Sequence, residues 1–374
     1  MTASTYADLN PASRLLLGPG PSAVHPRVLR AMATPLVGHL DPDFLSIMAD
    51  VRELLRFVFQ TQNLLTLAVP GTGTAGMECA LSNLLEPGDR MLACIHGYFG
   101  DRLAEIGRRY GAEVTRLERP WGEIFEPDEI AAALQDCRAK VVTLVHAETS
   151  TGALQTHIAA IAEVCHQSGA LLVLDCVTSL GGMPVEIDDW GVDLAYGASQ
   201  KALSAPPGLA PITIGPRARE AIAQRASPPP VFYLDLNLLE RYWSDQPTYH
   251  HTAPISTVYA LREALRLAHE EGLEARYARH RANAERLWQG LEGLDLPPFV
   301  PLSRRLTTLT TARLPDGLDE ATLRRRLLLE LNIEIAGGFG PLAGKIWRIG
   351  LMGHSSREEN VALLLGALEA LLAR

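Results

Sequence analysis

The sequence predicts an α/β fold: a large, mostly parallel sheet with helices on both faces, followed by a small C-terminal α+β domain. Three observations predict it. Strand-like and helical runs alternate from about residue 44 to residue 200, the pattern of crossover units joining parallel strands. Runs such as VVTLV and ALLVL are apolar at every position, as a strand buried on both faces requires. After a long helical stretch the pattern changes to short strands and separate helices.

The elements follow in chain order. LLLGPGPSAVHPRVL is rich in Gly and Pro and reads as extended. IMADVRELLRFVFQ is helical. Then strand LLTLAV leads to helix TAGMECALSNLL, RMLACI to GDRLAEIGRRY, AEVTRLE to EPDEIAAALQ, and KVVTLVHAE to HIAAIAEVCHQSG. ALLVLD and VDLAYGAS close the series. The stretch from SPPPVFYLD to YHHTAP is irregular, and one long helix is predicted from about Ser256 to Leu291. RLTTLTTARL, IEIAGG and KIWRIGLM read as strands around the helix DEATLRRRLLLEL. Ser356 with Glu359 three residues on predicts a capping box opening the last helix. The expected division is an extended segment over 1–20, a large domain over 21–270 and a small domain over 271–374.

Composition narrows the function. With 47% hydrophobic and 21% charged residues the chain is that of an ordinary globular protein. A net charge of -9 counts against nucleic acid or an anionic membrane as partner. No apolar run reaches the roughly 18 residues of a membrane helix, and MTASTYADLNPAS lacks the basic start and apolar core of a leader. The five cysteines have no metal-type spacing and read as reduced, buried hydrophobes of a cytoplasmic protein.

Three motifs carry chemistry. Gly71, Gly73 and Gly76 sit between a strand and a helix, where backbone N–H groups and the helix N-terminus hold phosphate. A dinucleotide would need an acid ending the next strand, but RMLACI ends in His96-Gly97-Tyr98-Phe99. That disfavours an NAD-dependent dehydrogenase and favours a single phosphate, with Thr72 and Thr74 adding hydroxyls. Asp175 ends an apolar strand, the edge at which open parallel sheets bind ligands. Lys201 stands in the same position after VDLAYGAS, where burial lowers an amine's pKa and makes it nucleophilic. An amine, a carboxylate and a phosphate cradle at strand ends of one sheet are what pyridoxal 5'-phosphate requires. Freed from the cofactor, Lys201 is then placed to move protons as a general acid/base.

The sequence resembles the class V, fold-type I aminotransferases, in the alanine–glyoxylate and serine–glyoxylate (serine–pyruvate) branch. LLLGPGPS, GTGTAGMECALSNLLEPGD, HGYFGDR, ETSTG, LDCVTSLGG, SQKAL.APPG, YHHTAP and WRIGLMG carry the resemblance, over residues 14 to about 355. It implies a seven-stranded sheet in the large domain. It implies that Lys201 joins the cofactor's aldehyde, that Asp175 pairs with the ring nitrogen, and that Thr72, Gly73, Thr74 and Gln200 hold phosphate. Phe99 would stack on the ring where relatives commonly carry Trp, Val177 would cover the opposite face, and Ser150 would lie near the ring hydroxyl and the substrate. Tyr249 and Thr252 would reach the phosphate of the other subunit, implying a homodimer. Arg348 would fork the substrate's α-carboxylate, with the N–H of Gly20 adding a contact. Thr74 stands where some relatives carry His.

The resemblance implies ping-pong transfer of an amino group from alanine or serine to glyoxylate, giving glycine and pyruvate or hydroxypyruvate. (S)-Ureidoglycine is the alternative donor. No cysteine follows Cys176, which disfavours the desulfurases of the same fold type. His250-His251 has no partner at ligand spacing, so no metal is expected. The expected partners are small amino acids, 2-oxo acids and a second copy of the chain.

Overall fold

The structure is a computed structural model and describes residues 8–372. Residues 1–7 of the expected N-terminal segment and the last two of the small domain lie outside the described residues.

Helix α1 (Pro42–Phe59) precedes the large sheet. Strand β1 (Leu65–Pro70) runs into helix α2 (Gly73–Leu84), and β2 (Arg90–Ile95) into α3 (Tyr98–Arg109). β3 (Glu113–Glu118) leads to α4 (Pro127–Cys137), and β4 (Val141–Val145) to α5 (Ile158–Gln167). β5 (Leu171–Asp175), β6 (Leu194–Tyr196) and β7 (Leu209–Ile214) complete a seven-stranded sheet in the order β1-β7-β6-β5-β4-β2-β3. Six strands run one way; β7 is antiparallel to both its neighbours. Every residue of β4 and β5 is buried, so the all-apolar runs are sandwiched strands. β7 is the strand that the pattern LAPITI hides, because Pro211 in its middle has no N–H to give a ladder.

The single long helix expected over 256–291 is two. α6 (Ile255–Glu271) and α7 (Leu273–Gly293) meet at Gly272, whose φ of +80° no helix admits. β8 (Leu309–Arg313), α8 (Glu320–Glu330), β9 (Ala336–Gly337), β10 (Ile346–Gly350) and α9 (Glu358–Leu372) follow. The three strands form an antiparallel sheet in the order β8-β10-β9. The expected capping box is absent: α9 begins at Glu358, and buried Ser356 instead accepts a 3.3 Å hydrogen bond from Asn283 of α7. Among the described residues no helix is long and apolar enough to cross a membrane.

Two features hold the site together. The N-terminal segment pairs Leu15–Leu16 in parallel with Ile333–Glu334, and Leu17 O accepts from Gly350 N at 2.8 Å. A Cβ on Gly350 would lie 2.1 Å from Gly18 O, so only glycine admits this crossing. Beneath it, α7 supplies a buried polar hub. Arg276 donates to the carbonyls of Gly181 and Ala202, both at 2.6 Å, and Arg279 donates to those of Gly353 and Ser356. His280 donates from Nδ1 to Arg276 O and accepts the N–H of Gly353 on Nε2 at 2.9 Å. The loop after Lys201 and the turn after β10 are thus clamped to one helix.

Candidate active site

The loops that leave the carboxyl ends of β1, β2, β4, β5 and β6 enclose a cavity of about 170 Å3. Four larger cavities, of about 360 to 580 Å3, exist among the described residues, but none is lined by a lysine. In the small one Lys201, Gln200, Asp175, Val177, Thr72, Gly73, Thr74 and Phe99 share a wall. These were read from four separate stretches of sequence, and the sheet order makes them neighbours.

Asp175 is fully enclosed. Its Oδ1 accepts the N–H of Val177 at 2.8 Å and its Oδ2 the hydroxyl of Tyr196 at 2.9 Å. Burial outweighs these two bonds and raises its pKa to about 6. Lys201 is shifted the other way. Burial lowers its pKa to about 8, the attraction of Asp175 opposing and the charge of Arg348 assisting. Its Nζ donates to the carbonyl of Pro19. Gly20 is pressed against the same side chain: a Cβ there would lie 2.8 Å from Lys201 Cδ, and its φ of +116° favours glycine independently. Ser22 Oγ holds the lysine's own carbonyl at 2.7 Å.

Glu148 forms the floor under Phe99. Its carboxylate accepts from Ser150 Oγ at 2.6 Å, from Ser150 N at 3.0 Å and from Phe99 N at 3.1 Å, while Ser150 Oγ accepts from Tyr98 N. This places Ser150 beneath the aromatic wall, fixed by Glu148. A Cβ on Gly97 would lie 2.3 Å from Glu148 Cγ, so the floor needs that glycine. Arg348 leaves β10 of the small sheet close enough to Lys201 for its charge to lower that amine's pKa. Its Nε donates to Gly337 O at 2.8 Å, and its guanidinium lies 4.2 Å from the Phe339 ring centre. It forms no ion pair among the described residues, and burial lowers its pKa to about 10. Tyr249 and Thr252 are exposed and do not reach this cavity in the same chain.

Three residues at the site escaped the sequence reading. Glu148 follows an apolar strand as Asp175 does, and the same reasoning applied to VVTLVHAE would have found it. Arg102 lies three residues after Phe99, one helical turn along the same face; its Nη1 donates to Thr74 Oγ1 at 3.2 Å. Tyr196 carries no such signal, since a tyrosine ending a buried strand reads as core.

The lining fits pyridoxal phosphate. The side-chain amide of Gln200 makes no hydrogen bond among the described residues and its Oε1 is buried. Thr72 caps α2 without spending its hydroxyl on the helix, leaving the helix's positive end facing the cavity. Gly73 leaves room that a side chain would fill, with a Cβ falling 2.9 Å from Val177.

The family model "Aminotransferase class-V" matches residues 16–351. The chain is 43% identical to the (S)-ureidoglycine–glyoxylate transaminase of Bacillus subtilis (strain 168), over 96% of this chain and 91% of that protein. It is 40% identical to the alanine–glyoxylate aminotransferase of Drosophila melanogaster, over 95% and 91%. The crystal structure of an alanine–glyoxylate aminotransferase from Nostoc sp. superposes with a TM-score of 0.97 at 52% identity, covering 98% of this chain and 97% of that one. With this cavity and these matches, the chain belongs to the class-V aminotransferases, enzymes that work with pyridoxal phosphate.

Proposed function

We propose that this aminotransferase uses glyoxylate as amino acceptor and a small amino acid, alanine first, as donor. The observation that carries the reading is that Lys201 and Asp175 line one small cavity while Arg348, an arginine without a carboxylate partner among the described residues, lies near enough to Lys201 for its charge to act on the amine. The likeness to alanine–glyoxylate aminotransferases supports the donor and acceptor.

Thr72, Gly73, Thr74 and Gln200 would hold the cofactor's phosphate, Phe99 and Val177 would cover its ring, and Asp175 would face the ring nitrogen. Bound there, pyridoxal phosphate supplies the electron sink for the pair released when the substrate's α-proton leaves. Asp175, ionised above about pH 6, keeps a positive charge favourable on the ring nitrogen. Lys201 Nζ, with a pKa near 8, takes the α-proton and returns it on the other side of the transfer. Arg348 forks the α-carboxylate and so fixes which bond of the α-carbon faces the ring. Gly20 is pressed against the lysine's stem, and the carbonyl of Pro19 accepts from its nitrogen. Tyr249 and Thr252, exposed in one chain, are the residues we assign to the partner's phosphate site in a homodimer.

A second reading, with (S)-ureidoglycine as donor, is supported by the 43% identity to the (S)-ureidoglycine–glyoxylate transaminase of Bacillus subtilis (strain 168). One experiment separates them. Each donor is mixed with the loaded enzyme, and the change from the pyridoxal to the pyridoxamine spectrum is followed; glyoxylate is then added and glycine measured. Alanine giving the fastest conversion upholds the first reading. Conversion by (S)-ureidoglycine alone transfers it to the second, and failure of glyoxylate to regenerate the first spectrum overturns both.

A further inference from the structure

Arg102 sits on the first turns of α3 at the cavity wall. Its Nη1 donates to Thr74 Oγ1 at 3.2 Å, and its guanidinium lies 5.0 Å from the ring centres of both Phe99 and Tyr98. It makes no ion pair among the described residues, although Asp101 and Glu105 are near it in sequence and both pair with other arginines. An arginine held by a hydroxyl and two aromatic faces, with its charge uncompensated, is poised for an anion that comes from outside the protein. Thr74 marks which anion. Its oxygen accepts from Arg102, so its own O–H is directed elsewhere, beside Thr72, Gly73 and the unpartnered amide of Gln200. Around that cradle the donors are otherwise neutral, and Lys201 is at the opposite task. A phosphate dianion there needs a cation.

We infer that Arg102 is a phosphate-binding residue of the cofactor site, neutralising the phosphate directly and through the hydroxyl of Thr74. The inference rests on the pyridoxal-phosphate reading of the cavity and adds to it the one charge the cradle lacks.

The test uses the apoenzyme and two probes, pyridoxal 5'-phosphate and pyridoxal, whose binding is followed by absorbance and by quenching of protein fluorescence. Arg102→Gln weakens pyridoxal 5'-phosphate by about tenfold to a hundredfold, the range for losing a charge-assisted hydrogen bond, and leaves pyridoxal within about twofold, below the effect of any lost bond. Arg102→Lys, which keeps the charge without the fork, recovers part of the loss. Equal weakening of both probes would mean that Arg102 only packs against Phe99, and unchanged affinity for both would mean it touches nothing that matters; either overturns the inference. A wild-type apoenzyme that binds neither probe at Lys201 would instead overturn the reading of the cavity itself.

Discussion

A lysine and an aspartate buried in one small cavity each resist their own charge, and that resistance sets how the site responds to pH. Asp175 titrates near pH 6 because its enclosure costs more than the bonds from Val177 and Tyr196 return. Below that pH it takes up a proton and, in the role proposed for it, would no longer neutralise a cationic ring nitrogen. Affinity of the apoenzyme for pyridoxal phosphate is therefore expected to fall as pH drops through 6 and below. Titrations at pH 5, 6 and 7 check this, and Asp175→Asn should give low affinity at all three. Arg348 is the residue whose loss should be read in binding. Arg348→Ala is expected to raise the KM of donor and acceptor together by about a hundredfold, equivalent to about 3 kcal/mol, the scale for stripping one partner from a buried charge pair. Initial-rate kinetics against both substrates measure it; an unchanged KM would remove the carboxylate role. Both residues could be found in the sequence because each ends an apolar strand or sits in a distinctive run. Tyr196 could not, since only the sheet's register brings its hydroxyl to Asp175.

At the scale of elements, the contact between α2 and the sheet is tightest at Gly76. A Cβ there would meet Tyr196 Cδ2 at 2.9 Å and two further ring and stem atoms at 3.2 Å. Tyr196 is rigid and fully buried, so Gly76→Ala should cost about 1–3 kcal/mol by overpacking and should also loosen Asp175. A lowered melting temperature together with weaker cofactor binding is the expected result; loss of stability alone would uncouple the tyrosine from the site. Elements that obeyed one period were readable in the sequence: the buried strands β4 and β5 and the amphipathic helix α3. The failures have physical causes. Pro211 disguised β7, which lies inside the sheet next to the edge strand β1 and yet contains a residue that interior strands usually exclude. The glycine at 272 fell within an unbroken helical pattern on either side, and only its positive φ ends one helix and starts the next. Ser356 had the right spacing for a cap but was recruited by Asn283 of another helix. Local signals lose to tertiary contacts at such places.

For the whole molecule, the hub on α7 joins the loop after Lys201 to the turn after β10 around a histidine that stays neutral. His280 donates on one nitrogen and accepts on the other, and complete burial lowers its pKa to about 3. In the unfolded chain the same ring protonates near 6.5. As pH falls below 6.5 the unfolded state gains a proton that the folded state refuses, so stability is full above that value and is lost progressively down to about pH 3. At pH 5 this one residue should account for about 2 kcal/mol. Urea unfolding of the native protein and of His280→Gln at pH 7 and pH 5 tests it: the variant starts lower but should lose less between the two. The division expected near residue 270 was drawn from a change of pattern, whereas the hub on α7 was invisible, because its arginine-to-carbonyl and glycine-to-histidine bonds join residues some 70 to 95 positions apart.

The strap from Leu15 to Gly20 carries one more consequence, and it concerns the order of synthesis. These residues leave the ribosome long before Ile333 and Gly350, the partners that hold the strap in place. Until those later residues emerge, only the contacts of Ser22 and Pro19 with the Lys201 loop seat Pro19 and Gly20 over the lysine, and the amine is less well covered. The finished enzyme guards its lysine with a segment that precedes the large sheet, and that segment is fully held only once the small sheet that follows has formed.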